Sequence, residues 1–357
     1  MKVSTATLHQ GVREALVTIG APENEAAIGA EMCVDAELRG HSSHGVRLLR
    51  NIAAAYERGA DRRRAMRVVD ESPVSARLDG GFHLSWFVHW SAIELVIEKA
   101  AAMGIAVVSV GNAGGSGALG YLVEKIAAAG LVGLAANSTP LTVVAPGSSV
   151  PSLGTNPLAI GLPRRSGTPL VLDMATSSIA FNEILRLRET GRALPEGVAV
   201  DADGSMTTDP NDAIDPDSGR SRILPFGGHR GYGLTLMLEL MVSAGVTGRT
   251  GQDKRGAVLT EPADFSALYF AYRPGLVGDR EQALDATDQL LTELTATGAR
   301  IPGESSRLRR EQCLRDGEVD VAPEGLDVLS SIIGRGINEQ VGHVADSTDP
   351  RASGHPE

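Results

Sequence analysis

Residues 111–121 read GNAGGSGALGY, and within them Gly115, Gly117 and Gly120 spell G-x-G-x-x-G. In a Rossmann domain that pattern makes a tight strand-to-helix turn, brings backbone close to a pyrophosphate and lets the helix pack on the strand. The surroundings do not support the same use here. The strand-like run GIAVVSV ends at Val110, with four residues before Gly115, a longer loop than the tight turn allows. The acidic residue expected about 20 positions on is missing, because the next strand-like run closes on Ala135-Ala136-Asn137-Ser138. The chain also opens with helical rather than strand periodicity. The segment predicts an α/β (α+β) protein that is not Rossmann-like. It leaves open a loop whose amides face a phosphate at a helix N-terminus, or a plain connector.

The same residues test a second chemistry. Gly114-Gly115-Ser116-Gly117-Ala118 approximates a nucleophile elbow, G-x-S-x-G with alanine last. Ser116 would need a histidine, for which His229 is available late in the chain, and an oxyanion hole, for which no upstream segment is evident.

Outward from this loop, WSAIELVIEKAAAM (90–103) reads as a helix feeding the preceding strand, and 118–129 as the helix that follows the loop. The pattern then predicts strands at 158–162 and 169–172, a helix over 177–190 and an irregular acidic excursion over 194–221. An apolar helix from Gly231, a strand in DFSALYFAY (264–272) and a helix over 280–297 follow. Toward the N-terminus, Val12, Leu16 and Ile19, then Ile28, Met32 and Ala36, then Leu48, Ile52 and Tyr56 recur at helical spacing. The polar residues that close the chain are expected to be disordered.

Composition narrows the function classes. An excess of 44 Asp+Glu over 33 Lys+Arg argues against a surface built to hold nucleic-acid phosphates. Cys33 and Cys313 stand alone, with neither a disulfide framework nor a C-x-x-C site. The first twenty residues carry charges where a signal peptide needs an unbroken apolar run, and no stretch has the length of apolar residues a membrane span requires. The expectation is a cytoplasmic protein with a small-molecule substrate and no nucleic-acid or membrane partner.

The run GHSSHGVR (40–47) places two imidazoles, two hydroxyls and a guanidinium together. Histidine suits proton transfer at neutral pH, a neighbouring hydroxyl can fix its tautomer, and Arg47 could hold a carboxylate. Helix capping by Ser42 or Ser43 with exposed histidines is the competing reading. His41 and His44 offer too few ligands for zinc, so no metal is expected.

Six ordered runs then carry a resemblance: ELRGHSSHGVRLL (37–49), SLGTNPLAIGLP (152–163), VLDMATSSIAFNEI (171–184), LPEGVAVDADGSMTTDP (194–210), LPFGGHRGYGLTLMLELM (224–241) and RIPGE (300–304). Together the chain resembles the type-2 malate/L-lactate dehydrogenase family from about residue 5 to 335. LPEGVAVDADG and PFGGHRG look most like its piperideine-2-carboxylate/pyrroline-2-carboxylate reductase branch. The resemblance implies a large, mostly antiparallel sheet with a helical domain. Residues 1–65 and 275–337 would form the helical domain, 66–274 the NAD(P)-binding catalytic domain and 338–357 a disordered tail. It implies a homodimer using NADPH or NADH. NADPH is favoured by the imine-reducing branch and by cations such as Arg230 and Arg307.

Position by position, the resemblance assigns His44 as proton donor, Ser43 as its relay partner and Glu183 as the carboxylate completing the relay. Arg47 and Thr155 would bind the substrate carboxylate, with Phe181 and Asn182 beside them. Gly115, Ser116, Gly117, Ala118 and Leu119 would face the cofactor, as would Asp173, Met174, Ala175, His229 and Arg230, and Arg300, Pro302, Gly303, Glu304 and Ser306. Gly115 stands where hydroxy-acid members carry a catalytic histidine, and Asn182-Glu183 where many carry Gly-Lys. Losing an acid–base group at Gly115 removes a contribution of roughly 10²–10⁴-fold. The implied activity is therefore reduction of a C=N beside a carboxylate, in a pocket enlarged by the glycines. The alternatives are a 2-hydroxy-acid/2-oxo-acid oxidoreductase using His44 alone, and a member that has left redox chemistry for binding or for Ser116.

Overall fold

The computed structural model describes residues 1–251 and 265–334. The expected disordered tail, 338–357, lies outside the described residues.

A seven-stranded sheet carries the architecture. Its strands are β2 (Arg67–Ser72), β3 (Ser75–Asp79), β4 (Ile105–Ala113), β5 (Val132–Asn137), β8 (Leu158–Leu162), β9 (Leu170–Met174) and β12 (Phe265–Tyr272). They run in the order β2-β3-β4-β12-β5-β8-β9. Only β3 and β4 are parallel, joined by the crossover helix α4 (Ser85–Met103); every other neighbouring pair is antiparallel. A late strand, β12, therefore lies at the centre between β4 and β5. Its buried Ala267, Tyr269 and Ala271 alternate with more exposed neighbours, the period of a strand covered on one face. This is the mostly antiparallel, non-Rossmann sheet that the sequence led us to expect.

Helix α5 (Leu119–Ala128) packs flat on the sheet because Gly161 gives it room: a Cβ there would sit 2.3 Å from the Val123 carbonyl oxygen. The other helical layer uses both chain ends. Strand β1 (Lys2–Ser4) pairs antiparallel with β13 (Glu318–Asp320), and Ser4 caps α1 (Thr5–Thr18) by accepting from Thr7 N at 3.0 Å. Helices α2 (Glu23–Leu38), α3 (Leu49–Arg58), α10 (Glu304–Asp316) and α11 (Pro323–Ile333) complete this layer. One core joins it to the sheet through Leu16, Trp86, Ile93, Leu122 and Tyr269. Each such fully buried side chain contributes about 1.5–3 kcal/mol.

Three expectations need correction. Helix α4 begins at Ser85 rather than Trp90; its first turn has no side-chain cap, and the Leu84 amide is instead held by distant Glu25. Helix α6 (Phe181–Glu189) starts four residues later than 177, since Ser177 Oγ turns onto the Ile179 carbonyl and Ser178 N donates to Leu224 O. The stretch 194–221 is not merely irregular. It holds the ribbon β10 (Ala199–Val200) and β11 (Met206–Thr207), and Leu194, Val198, Ala213 and Ile214 enter a second core cluster with Ile184. A small hairpin of β6 (Val143–Val144) and β7 (Pro151–Leu153) joins that cluster. Helix α7 (His229–Leu238) continues into a π-helical turn, Glu239–Ala244, and the one-turn α8 (Gly245–Thr247); α9 (Arg280–Ala296) is tied to the β8–β9 connection by Arg164–Asp288 and Arg165–Asp285 pairs.

Candidate active site

A cavity of about 890 Å³ opens between the helical layer and the sheet. One wall is the turn after α2. Glu37, buried at 3% exposure, accepts from Val46 N at 2.8 Å, and its carboxylate occupies the space a side chain at Gly45 would need. Burial pushes the Glu37 pKa up. This internal clamp, rather than capping by Ser42 or Ser43, shapes GHSSHG and begins the 3-10 turn Val46–Leu48 that carries Arg47. Ser43 Oγ and His44 Nδ1 are 2.9 Å apart. The surrounding protein pushes the His44 pKa below the ordinary imidazole value. His41 Nε2 meets Ser306 Oγ at 3.1 Å.

Helix α6 joins this wall. Asn182 Nδ2 donates to the Ser43 carbonyl at 3.2 Å, and Arg47 pairs with Glu189 at 2.6 Å. Glu183 also lines the cavity, but its two oxygens accept from Arg186 at 2.6 and 2.8 Å. The arginine holds the Glu183 carboxyl below its usual range. The structure thus places Glu183 near the Ser43–His44 pair without linking it to them.

The second wall is the glycine loop. His89 Nε2 donates to Gly114 O at 2.9 Å, and Asn137 Nδ2 donates to Ser116 Oγ at 2.6 Å. Gly117 is left-handed (φ 73), with Trp86 Nε1 2.5 Å from where a Cβ would lie. Gly120 N, in the first turn of α5, donates to Asp173 Oδ2 at 2.7 Å. A protein carboxylate therefore serves the helix end where a Rossmann turn would receive a pyrophosphate. Ser116 Oγ contacts Asn137 and the Gly117 carbonyl, and His229 lies outside the cavity lining, so among the described residues the nucleophile-elbow reading has no histidine hydrogen-bonded to the serine.

His44, Ser43, Arg47, Thr155, Phe181, Asn182, Glu183, Gly115 to Leu119 and Asp173 to Ala175 all line this one cavity. Thr155 Oγ1 lies 3.2 Å from Thr139 Oγ1. His229 and Arg230, in the first turn of α7, and Arg300, Pro302, Gly303, Glu304 and Ser306, at the start of α10, lie outside the lining. Of these, Ser306 touches a lining residue, His41, and Gly303 packs against Val171 beside Asp173. Arg307, a candidate cation, pairs with Glu311 at 2.5 Å.

Sequence reasoning missed several lining groups. His83 pairs through Nδ1 with buried Glu25 at 2.7 Å, a partner fifty-eight residues away that no local pattern signals. Ser85 Oγ and Asn137 Oδ1 line the cavity, are buried and have no hydrogen-bond partner among the described residues. Also among the described residues, no group of three or more His, Cys, Asp or Glu could hold a metal, and no helix is long and apolar enough to cross a membrane.

Comparison with known proteins bears on this geometry. The sequence model of the malate/L-lactate dehydrogenase family matches residues 3–330. L-sulfolactate dehydrogenase of Methanocaldococcus jannaschii is 35% identical over 315 residues, 86% of this chain and 90% of that protein. Delta(1)-pyrroline-2-carboxylate/Delta(1)-piperideine-2-carboxylate reductase of Pseudomonas syringae pv. tomato is 30% identical over 349 residues, 93% and 96% of the two chains. The solved sulfolactate dehydrogenase of M. jannaschii superposes with a TM-score of 0.82 at 30% identity, covering 95% of this chain and 99% of its own.

Proposed function

This chain belongs to the malate/L-lactate dehydrogenase family, and from that premise we propose that it is an NAD(P)H-dependent reductase of a C=N bond beside a carboxylate. The observation that carries the proposal is the single cavity in which the Ser43–His44 pair, Arg47 and Thr155 face the glycine loop.

The cavity fits a nicotinamide. Its carboxamide offers both a donor and an acceptor, and Asn137 Oδ1 and Ser85 Oγ are two buried polar atoms in want of partners beside that loop. Bound there, the reduced nucleotide supplies the hydride. His44 gives a proton to the imine nitrogen, Ser43 holds its ring by Nδ1, and Arg47 and Thr155 hold the carboxylate. Gly115 supports imine over ketone: a Cβ there would meet nothing nearer than the Phe265 ring at 3.9 Å, so the loop brings space and no acid–base group. A protonated imine is already an electrophile and needs less polarisation than a ketone. NADPH is the favoured nucleotide, and the setting is a cytoplasmic homodimer.

Nicotinamide absorbance tests the proposal with piperideine-2-carboxylate, pyrroline-2-carboxylate, pyruvate with methylamine, pyruvate and oxaloacetate, each with NADPH and NADH. Turnover of the imines is expected, with loss of roughly 10²-fold or more in His44→Ala. Turnover within a few-fold of wild type in His44→Ala would remove the assigned donor.

A second reading, 2-hydroxy-acid/2-oxo-acid oxidoreductase, is favoured by the sulfolactate dehydrogenases among the relatives. Oxidation of malate or sulfolactate with NAD(P)⁺, without imine reduction, would select it.

A further inference from the structure

We propose that His83, oriented by the buried carboxylate of Glu25, is an acid–base group of this cavity for carbonyl reduction. The proposal rests on the second reading above, 2-hydroxy-acid/2-oxo-acid oxidoreduction, and gives that reading a proton-transfer position which the imine reading does not require.

Glu25 Oε1 pairs with His83 Nδ1 at 2.7 Å while Oε2 accepts from Leu84 N at 2.9 Å, and Glu25 is 2% exposed. Against an ionised carboxylate, which only accepts, Nδ1 carries the proton. That leaves Nε2 as the ring nitrogen available to a ligand: His83 lines the cavity, and no partner of Nε2 is found among the described residues. A carboxylate behind an imidazole fixes its tautomer and stabilises the imidazolium, which suits a residue that gives and takes a proton. His44 differs, since its Nδ1 meets only a neutral hydroxyl.

Placement supports the same role. Gly81 and Phe82 are both left-handed (φ 57 and 58), and the turn closes with His83 N donating to Gly80 O at 3.1 Å. Phe82 N donates to Asn112 O at 2.9 Å, which ties the turn to the end of β4. Two residues on, Ser85 Cβ lies 3.0 Å from where a Cβ on Gly114 would be. His83 therefore belongs to the wall shared with the glycine loop, where Gly115 leaves open space, whereas His44 belongs to the wall shared with α6.

In reduction of a 2-oxo acid, the substrate carbon gains the hydride of the reduced nicotinamide and the carbonyl π pair moves onto oxygen. That oxygen takes the Nε2 proton of imidazolium His83, which leaves neutral imidazole with Nδ1 still protonated and donating to Glu25. In oxidation of the hydroxy acid, Nε2 takes the hydroxyl proton as the hydride leaves. Glu25 is a positioning residue.

The test uses the full chain with NADH or NADPH and pyruvate or oxaloacetate, together with the histidine ring signals in NMR during titration with oxamate. In His83→Asn, kcat is expected to fall about 10²–10⁴-fold while KM and nucleotide Kd hold within about fivefold, as removing a proton donor but not a binding contact requires. Glu25→Gln should displace the pH profile of the remaining activity, and oxamate with bound nucleotide should shift the His83 ring signal of the wild type. No 2-oxo-acid turnover by wild type, or kcat of His83→Asn within a few-fold of wild type, overturns the proposal. If His83→Asn loses nucleotide binding as well, an unmoved wild-type His83 signal under oxamate overturns it and a shifted one supports it. Wild type that binds neither nucleotide brings down the oxidoreductase reading itself, and this proposal with it.

Discussion

His89 Nε2 donates to the carbonyl of Gly114 at 2.9 Å while Tyr269 Oη donates to His89 Nδ1 at 2.7 Å. Both ring nitrogens are satisfied only in the neutral form, and burial pushes the His89 pKa down to about 4. An unfolded histidine takes a proton near pH ~6.5; the folded one does so only near 4. Stability should therefore be full above about pH 6.5 and lost as pH falls toward 4, by up to about 3 kcal/mol. Denaturant midpoints measured across that window should show a smaller slope in His89→Gln than in wild type. An equal slope would place the titration elsewhere.

Gly117 and Gly115 are two positions apart and should respond oppositely to alanine. At Gly117 a Cβ meets Trp86 Nε1 at 2.5 Å with φ at 73, whereas at Gly115 the nearest atoms lie at 3.9 Å. Gly117→Ala should cost about 1–3 kcal/mol and weaken nucleotide binding. Gly115→Ala should stay within about 1 kcal/mol of wild type. Thermal denaturation of the pair distinguishes them, and equal losses would contradict the geometry.

Asn137 holds Ser116 with its amide, and its Oδ1 is buried without a partner among the described residues. Asn137→Ala should raise the Kd for NADPH and NADH by about tenfold, the value of one buried hydrogen bond at ~1.4 kcal/mol. Nicotinamide fluorescence titration measures this directly. Unchanged Kd would mean that the nicotinamide is bound away from Asn137.

Because Arg186 takes both Glu183 oxygens, Glu183→Gln should reduce turnover by less than about fivefold, as expected for a partly exposed ion pair. Ser43→Ala, which frees His44 Nδ1, should reduce it more. Steady-state rates with the imine substrate decide, and a larger loss in Glu183→Gln would restore the carboxylate to the relay.

A proton donor at His44 would have to be protonated, and burial lowers the His44 pKa from the ordinary value. The rate of imine reduction should therefore be highest on the acid side and fall as pH rises through a pKa below about 6.5. A profile of kcat across pH checks the sign; a rate that climbs with pH over that range would assign proton donation to another group.

Sequence alone carried the features that repeat along one element or sit within a few residues of one another. Helical spacing located α1 to α3, short runs between turn signals located β8, and the loop length before Gly115 with the missing acid after β5 argued against a Rossmann turn. The Ser43–His44 pair was legible because the two residues are adjacent. The six ordered runs were enough to indicate the family.

Tertiary structure decided whatever depended on two segments meeting. Glu25 with His83, Asn137 with Ser116, Glu37 beneath Gly45 and Asp173 at Gly120 join residues from different elements, and nothing in either local pattern predicts its partner. Glu183 shows the converse. Its position suited a relay, but an arginine three residues along the same helix was nearer in space. Periodicity reports which face of an element is buried, whereas side-chain pairing across a cavity follows from how whole layers pack, which only the folded chain determines.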